Sequence, residues 1–234
     1  MSERINRRSE EIAGETLHLA SPDPMSIYEG GAPNHLIYEC RLVSCQLQID
    51  DPRGTTLYCS TLVNTGIEVT RTCATSWRGC IFDTCTFKGK YYDCRFGLDS
   101  SECSLKASLR NCDFTEAKLN LCTFHNCTPD DLRLPRWPHV TIFNPLQNAA
   151  EFADVAKDFV LGRIHQSMCN SSESEVAVTY NMISFVKETR AYLLKDWEAH
   201  KRFAMANSEP PPPEPKVSLD LVREFLSKKA CVFM

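Results

Sequence analysis

Eleven of the thirteen cysteines lie between Cys40 and Cys127, and their spacing limits what this chain can become. From Cys40 the steps are 5, 14, 14, 7, 5, 9, 9, 9, 10 and 5 residues, mostly multiples of five or one short of one. A large apolar side chain follows two residues after most of them. The pairs are Cys40/Leu42, Cys45/Leu47, Cys80/Phe82, Cys85/Phe87, Cys94/Phe96, Cys103/Leu105, Cys112/Phe114 and Cys122/Phe124, and Ala117/Leu119 keeps the pattern with Ala for Cys. The residue between is mostly polar, as at Arg41, Thr86, Arg95 and Asp113. Small, polar, large is a period of two, the mark of a very short strand with two inward side chains and one outward. Strands this short bury nothing alone, so they have to stack. Cysteine suits a narrow inner position because it is a compact, easily buried hydrophobe.

This spacing predicts a mainly β solenoid over residues 34–128, a right-handed β-helix of about five coils at ~18–20 residues each. Its expected core ladder is Cys40, Cys45, Cys80, Phe82, Cys85, Phe87, Cys94, Phe96, Cys103, Leu105, Cys112, Phe114, Cys122 and Phe124. The units Cys80-Ile81-Phe82-Asp83-Thr84, Cys85-Thr86-Phe87-Lys88-Gly89 and Cys112-Asp113-Phe114-Thr115-Glu116 are the best repeats, with those opening at Ala117 and Cys122. They resemble the pentapeptide-repeat family, which implies a four-sided right-handed β-helix. The strides of nine and the irregular stretch from Asp50 to Trp77 depart from that pattern. They suit a three-sided β-helix like that of tubulin-binding cofactor C as well.

The competing reading is chemical. Structural zinc sites want close C-x₂-C pairs. Here the tightest spacing is C-x₄-C, and only His125, between Cys122 and Cys127, hints at a site. Packing is therefore expected, with no metal, no cofactor and no crosslinks. The start, Met1-Ser2-Glu3-Arg4, lacks the apolar run of a signal peptide. Together with so many thiols this points to a reducing, cytoplasmic compartment.

Residues 1–33, polar and carrying Pro22, Pro24 and Pro33, read as a flexible N-terminal arm. Residues 129–206 read as a connector and an α-helical hairpin that caps the solenoid. Its long second helix is expected over about 173–205, opened by a capping box of Ser172 and Glu175. Residues 207–234 read as a proline-rich linker, a short helix N-capped by Ser218, and a tail.

The tail reads Lys228-Lys229-Ala230-Cys231-Val232-Phe233-Met234. Cys231, Val232, Phe233 and Met234 fit the C-a-a-X prenylation pattern, with Met favouring farnesyl on Cys231 and Lys228 and Lys229 as a basic flank. One farnesyl group binds membrane only marginally. The expected state is therefore cytoplasmic, and peripheral on cytosolic membrane faces. A prenyltransferase would be a transient partner and a membrane surface a further one.

No nucleophile elbow, zinc-protease, P-loop or dinucleotide-binding motif occurs. The chain is thus expected to be a non-enzymatic interaction or scaffold protein with an unidentified protein partner. The net charge of −4 argues against nucleic acid. Two alternatives follow from the resemblances: a DNA-mimicking topoisomerase-binding protein, and a GTPase regulator like tubulin-binding cofactor C.

Overall fold

The computed structural model describes residues 5–20, 35–50, 52–155, 159–172, 174–208, 210–214 and 219–234. The strands of the first half are β1 (Asn6–Arg8), β2 (Glu11–Ala13), β3 (Thr16–Leu19), β4 (His35–Tyr38), β5 (Arg41–Val43), β6 (Gln46–Ile49), β7 (Thr55–Tyr58), β8 (Thr61–Val63), β9 (Gly66–Cys73), β10 (Ile81–Asp83) and β11 (Thr86–Tyr92). There follow β12 (Arg95–Phe96), β13 (Ser108–Arg110), β14 (Cys112–Asp113), β15 (Ala117–Asn120), β16 (Cys122–His125), β17 (Leu132–Arg133), β18 (His139–Phe143), β19 (Glu175–Asn181) and β20 (Val232–Phe233). The helices are α1 (Pro145–Asn148), α2 (Phe159–Cys169), α3 (Met182–Ala206) and α4 (Leu219–Leu226), with 3-10 turns at Pro129–Asp131 and Ala149–Val155.

The bends between the short strands share one local device. Glu39, Ser44, Cys59, Asn64, Thr84, Asp93, Asn111 and Leu121 all adopt left-handed φ. Each directly precedes a small buried residue: Cys40, Cys45, Ser60, Thr65, Cys85, Cys94, Cys112 and Cys122. A left-handed residue turns the chain sharply at a steric cost. The small side chain then donates to the carbonyl two residues back, as Cys45 does to Val43 (3.5 Å), Ser60 to Tyr58 (2.9 Å) and Thr65 to Val63 (3.0 Å). A second acceptor lies in an earlier strand: Cys45 reaches the Ile12 carbonyl at 3.3 Å, and Cys85 that of Leu62 at 3.4 Å. Cysteine, serine and threonine suit these bends because each is short and gives a buried carbonyl a donor, and a buried carbonyl left without a partner is costly.

These bends bring like residues into register. Ile12, Leu42, Leu62, Phe82 and Leu109 stand opposite one another along one parallel sheet, all buried. Beneath them Trp77, Phe87, Tyr91, Phe96, Phe114 and Phe124 form an aromatic cluster, in which Phe87 and Phe114 stack at 4.2 Å and 7°.

A closed right-handed β-helix with a helical hairpin behind it does not form. The strands collect into four separate sheets of a mixed α/β fold, with 27% helix and 38% strand, and no closed solenoid exists among the described residues. Unequal turns of chain are the reason. Thr61 pairs with Ile81, 20 residues on, whereas Ile81 pairs with Ser108, 27 residues on. The sheet β1-β4-β7 stops after three strands, while β9 and β11 extend to eight and seven residues. A uniform tube requires equal sides, and these turns do not supply them.

Other expectations give way to tertiary pairing. The part of residues 1–33 that is described is not a free arm: β1, β2 and β3 pair with β4, β5 and β6, and buried His35 ties Ile5 N–H to the Ala20 carbonyl. Residues 1–4 and 21–33 of that arm, Glu173 and the Ser218 cap lie outside the described residues. The expected helical hairpin is interrupted by strands. β18 comes from the proline-flanked connector, and β19 takes the first turns of the expected long helix, so α3 begins only at Met182. Val176, Val178 and Tyr180 alternate with Ala177 and Thr179, a period that favours a strand once β16 and β18 offer partners.

The fourth sheet, in the order β12-β16-β19-β18-β20, joins two cores. Ala177 belongs to the aromatic core of the first half. Val140, Ile142, Val178 and Tyr180 belong to a second core with α2, α4 and the start of α3.

Candidate functional site

Twelve of the fourteen expected ladder residues are buried in the first core: Cys40, Cys45, Cys80, Phe82, Cys85, Phe87, Cys94, Phe96, Cys112, Phe114, Cys122 and Phe124. The other two are not. Cys103 forms a disulfide with Cys59, and Leu105 is 56% exposed. The place expected of them is taken by Ala107 and Leu109, both buried. The expectation of no crosslinks is thereby corrected for this one pair. The loop carrying Cys103 is pinned to the first half, with Tyr58 hydroxyl bonded to Ser100 and Glu102. Gly79 closes the same corner at φ +66, where a Cβ would collide with the Cys103 sulfur.

Burial holds most of these thiols in their protonated form. Burial pushes Cys80 and Cys112 up to about 12 and Cys85 up to about 11. Cys94 hydrogen-bonds to both Cys73 and Cys122. Cys73 is raised chiefly by its bond to Cys94 and Cys122 chiefly by burial, while Cys94 is drawn down by the donors around it. All three are sealed from solvent. His125 lies between Thr123 Oγ1 (3.1 Å) and Ser174 Oγ (3.3 Å) and is lowered by burial. Among the described residues no group of three or more His, Cys, Asp or Glu is placed to hold a metal ion.

The tail is folded in rather than free. Cys231 O accepts from Phe143 N–H at 2.9 Å, and β20 pairs antiparallel with β18 through Ile142/Val232 and Thr141/Phe233. Cys231, Val232 and Met234 pack on the second core, while Phe233 faces out. Lys228 ion-pairs with Glu224 at 2.7 Å on the exposed side of α4. Lys229 instead bonds the Glu151 carbonyl at 2.8 Å and lies over Phe225 (5.0 Å) and Phe152 (5.7 Å). The two expected flanking cations are therefore not equivalent, and Cys231 is half-buried beside a paired strand rather than in a free tail. Among the described residues no helix is long and apolar enough to cross a membrane.

The most chemically defined opening lies elsewhere. A cleft of about 410 Å³ separates α2 from β16, β19 and the start of α3. The face of α2 bearing Val160, Leu161, Ile164 and Met168 is buried, which leaves Arg163 and Ser167, one turn apart, on the cleft rim. Arg163 Nη1 donates to the fully buried Thr189 Oγ1 at 3.0 Å, and its guanidinium lies 5.1 Å over the Phe185 ring. Ser167 accepts from the Tyr180 hydroxyl at 2.9 Å. Asp93 and Glu175 line the cleft as well. Among the described residues the two contacts that fix Arg163 are both uncharged, which leaves N–H donors in the fork geometry that matches a carboxylate.

Sequence reasoning missed this cleft. Arg163 and Thr189 sit on two helices, and no local spacing links them. Arg163 on the polar edge of an amphipathic helix looks like any solvated cation. No family model, no curated protein and no solved structure matches the chain.

Proposed function

We propose that this chain is a non-enzymatic interaction protein that binds a carboxylate-bearing segment of a partner protein in the cleft beside Arg163. The observation that carries the reading is the mooring of Arg163 by Thr189 and Phe185 at the edge of an open cleft. A guanidinium already held in place loses less rotamer entropy on binding than a free one. Ser167 stands one helical turn away as a second polar contact, and Phe185 offers an aromatic wall. Asp93 and Glu175 set selectivity: they repel a second negative charge, so a partner with one acidic side chain among apolar neighbours fits better than an acidic run.

Farnesylation of Cys231 belongs to this proposal only under a condition the fold sets, that β20 leaves β18 first. A peptide array in which every member is presented once with Glu and once with Gln at its centre tests the cleft. The chain is expected to bind the Glu forms, to lose at least tenfold in affinity with Arg163→Gln, and to keep binding with Arg202→Gln, a change on the exposed far end of α3. Equal capture of Glu and Gln peptides, or indifference to Arg163, contradicts the reading.

A further inference from the structure

We propose that the outer edge of β18 is a strand-receiving site, closed in this structure by the chain's own residues 231–234 and opened to an extended apolar peptide that displaces them. The inference does not depend on the Arg163 cleft or on which reagent acts at Cys231.

The occupant seen in the structure defines what fits. β18 is a five-residue strand whose other edge is fully paired with β19, from His139/Asn181 to Phe143/Ala177. On its outer edge β20 matches only two residues, Thr141 and Ile142, and Cys231 supplies one further bond to Phe143 N–H. The tail therefore covers part of a strand edge that water or another chain must otherwise satisfy. Beneath that edge the second core accepts Cys231, Val232 and Met234 as partly buried side chains. Backbone pairing gives such a site affinity for any extended segment, and the apolar hollow selects for aliphatic residues at alternate positions.

The closing contact is anchored away from the strand. Lys229 hooks onto the Glu151 carbonyl, with the Glu151 carboxylate at 3.9 Å and the Phe152 and Phe225 rings beneath it. Val232 N–H bonds the Lys229 carbonyl at 3.2 Å, so the lysine and the strand form one turn. A short tethered strand competes through effective concentration rather than through intrinsic strength. A longer untethered strand able to pair along more of β18 makes more bonds and replaces it. Closure also half-buries Cys231, whose thiol burial pushes up.

The test uses the peptide Lys-Ala-Ser-Val-Phe-Met, labelled and amidated, in fluorescence anisotropy. A chain ending at Ala230 is expected to bind it at least tenfold more tightly than the full chain, with slowed hydrogen exchange at the Phe143 amide. Equal binding to both chains, or none to a shortened chain with an unchanged circular dichroism spectrum, overturns the proposal. A second measurement keeps the full chain. Iodoacetamide alkylates a thiolate, forming a C–S bond and releasing iodide, and Cys169 is an exposed internal reference. Lys229→Glu sets like charges against Glu151 and is expected to raise the Cys231 rate about tenfold relative to Cys169. No change in that ratio overturns the proposal equally.

Discussion

Ser60 and Cys80 occupy equivalent places in neighbouring strand rows. Each follows a left-handed residue, Cys59 at φ 50° and Gly79 at φ 66°. Each donates to the carbonyl two residues before it, Ser60 to Tyr58 at 2.9 Å and Cys80 to Arg78 at 3.7 Å. Ser60 also reaches the Ile37 carbonyl, and Cys80 that of Leu57. One position thus accepts either a thiol or a hydroxyl as its buried donor.

A rank order of stability follows from that equivalence. Cys80→Ser keeps the donor and Cys80→Ala removes it, so the serine variant is expected to be more stable than the alanine variant by about 0.5–1.5 kcal/mol. Ser60→Cys is expected to fold normally. Urea unfolding of the three variants measures the order, and an alanine variant as stable as the serine variant refutes the role of the donor.

A second buried pair gives a sharper test of polar satisfaction. Thr141 and Thr179 hydroxyls meet at 2.7 Å between β18 and β19, both fully buried. Thr179→Val leaves the Thr141 hydroxyl without its partner and is expected to cost about 1–3 kcal/mol. Replacing both by Val removes the unsatisfied group, and the double variant is expected to recover most of that loss. A double-mutant cycle by chemical denaturation checks it, additivity being the contrary result.

The part of the architecture legible in the sequence is the local part. Cys85-Thr86-Phe87 alternates small, polar and large, and in the structure its ends are buried while its middle residue is exposed. The assembly of such strands was not legible, because it depends on where the turns lengthen. Ser60 and Thr65, 20 residues after Cys40 and Cys45, fill the same inner position with a hydroxyl, which cysteine spacing does not reveal. Cys103 is the opposite case: it keeps the nine-residue stride but sits in a loop. The cleft needs α2, β16, β19 and α3 together, and the local sequence over β19 predicts a helix.

The disulfide supplies a redox prediction. Cys59 and Cys103 close a loop with a sequence separation of 44 residues, and both are only half-buried. Opening the bond is expected to cost about 2–4 kcal/mol through the unfolded chain. Dithiothreitol should therefore lower the melting temperature of the native chain and leave Cys103→Ser unchanged. Equal shifts in both would place the reductant's effect elsewhere.

Two buried imidazoles set a pH dependence. His125 and His139 are both lowered from the ordinary value of 6.5 by burial. The unfolded chain therefore takes up protons before the folded one does. Their contribution to stability is complete above pH ~6.5 and is lost as the pH falls below it, toward the depressed folded values. Unfolding at pH 7.5 and 5.5 is expected to show a decline on acidification that becomes smaller in His125→Gln. A decline unchanged in both His125→Gln and His139→Gln contradicts the assignment.

The most direct test of the central claim is a ¹⁵N spectrum of the Arg163 side chain during titration with a Glu-centred apolar peptide and its Gln twin. A saturable shift of the Arg163 Nε–H signal with the Glu peptide and none with the Gln peptide is predicted. An unmoved signal, or the same shift with both peptides, would contradict carboxylate recognition at this cleft.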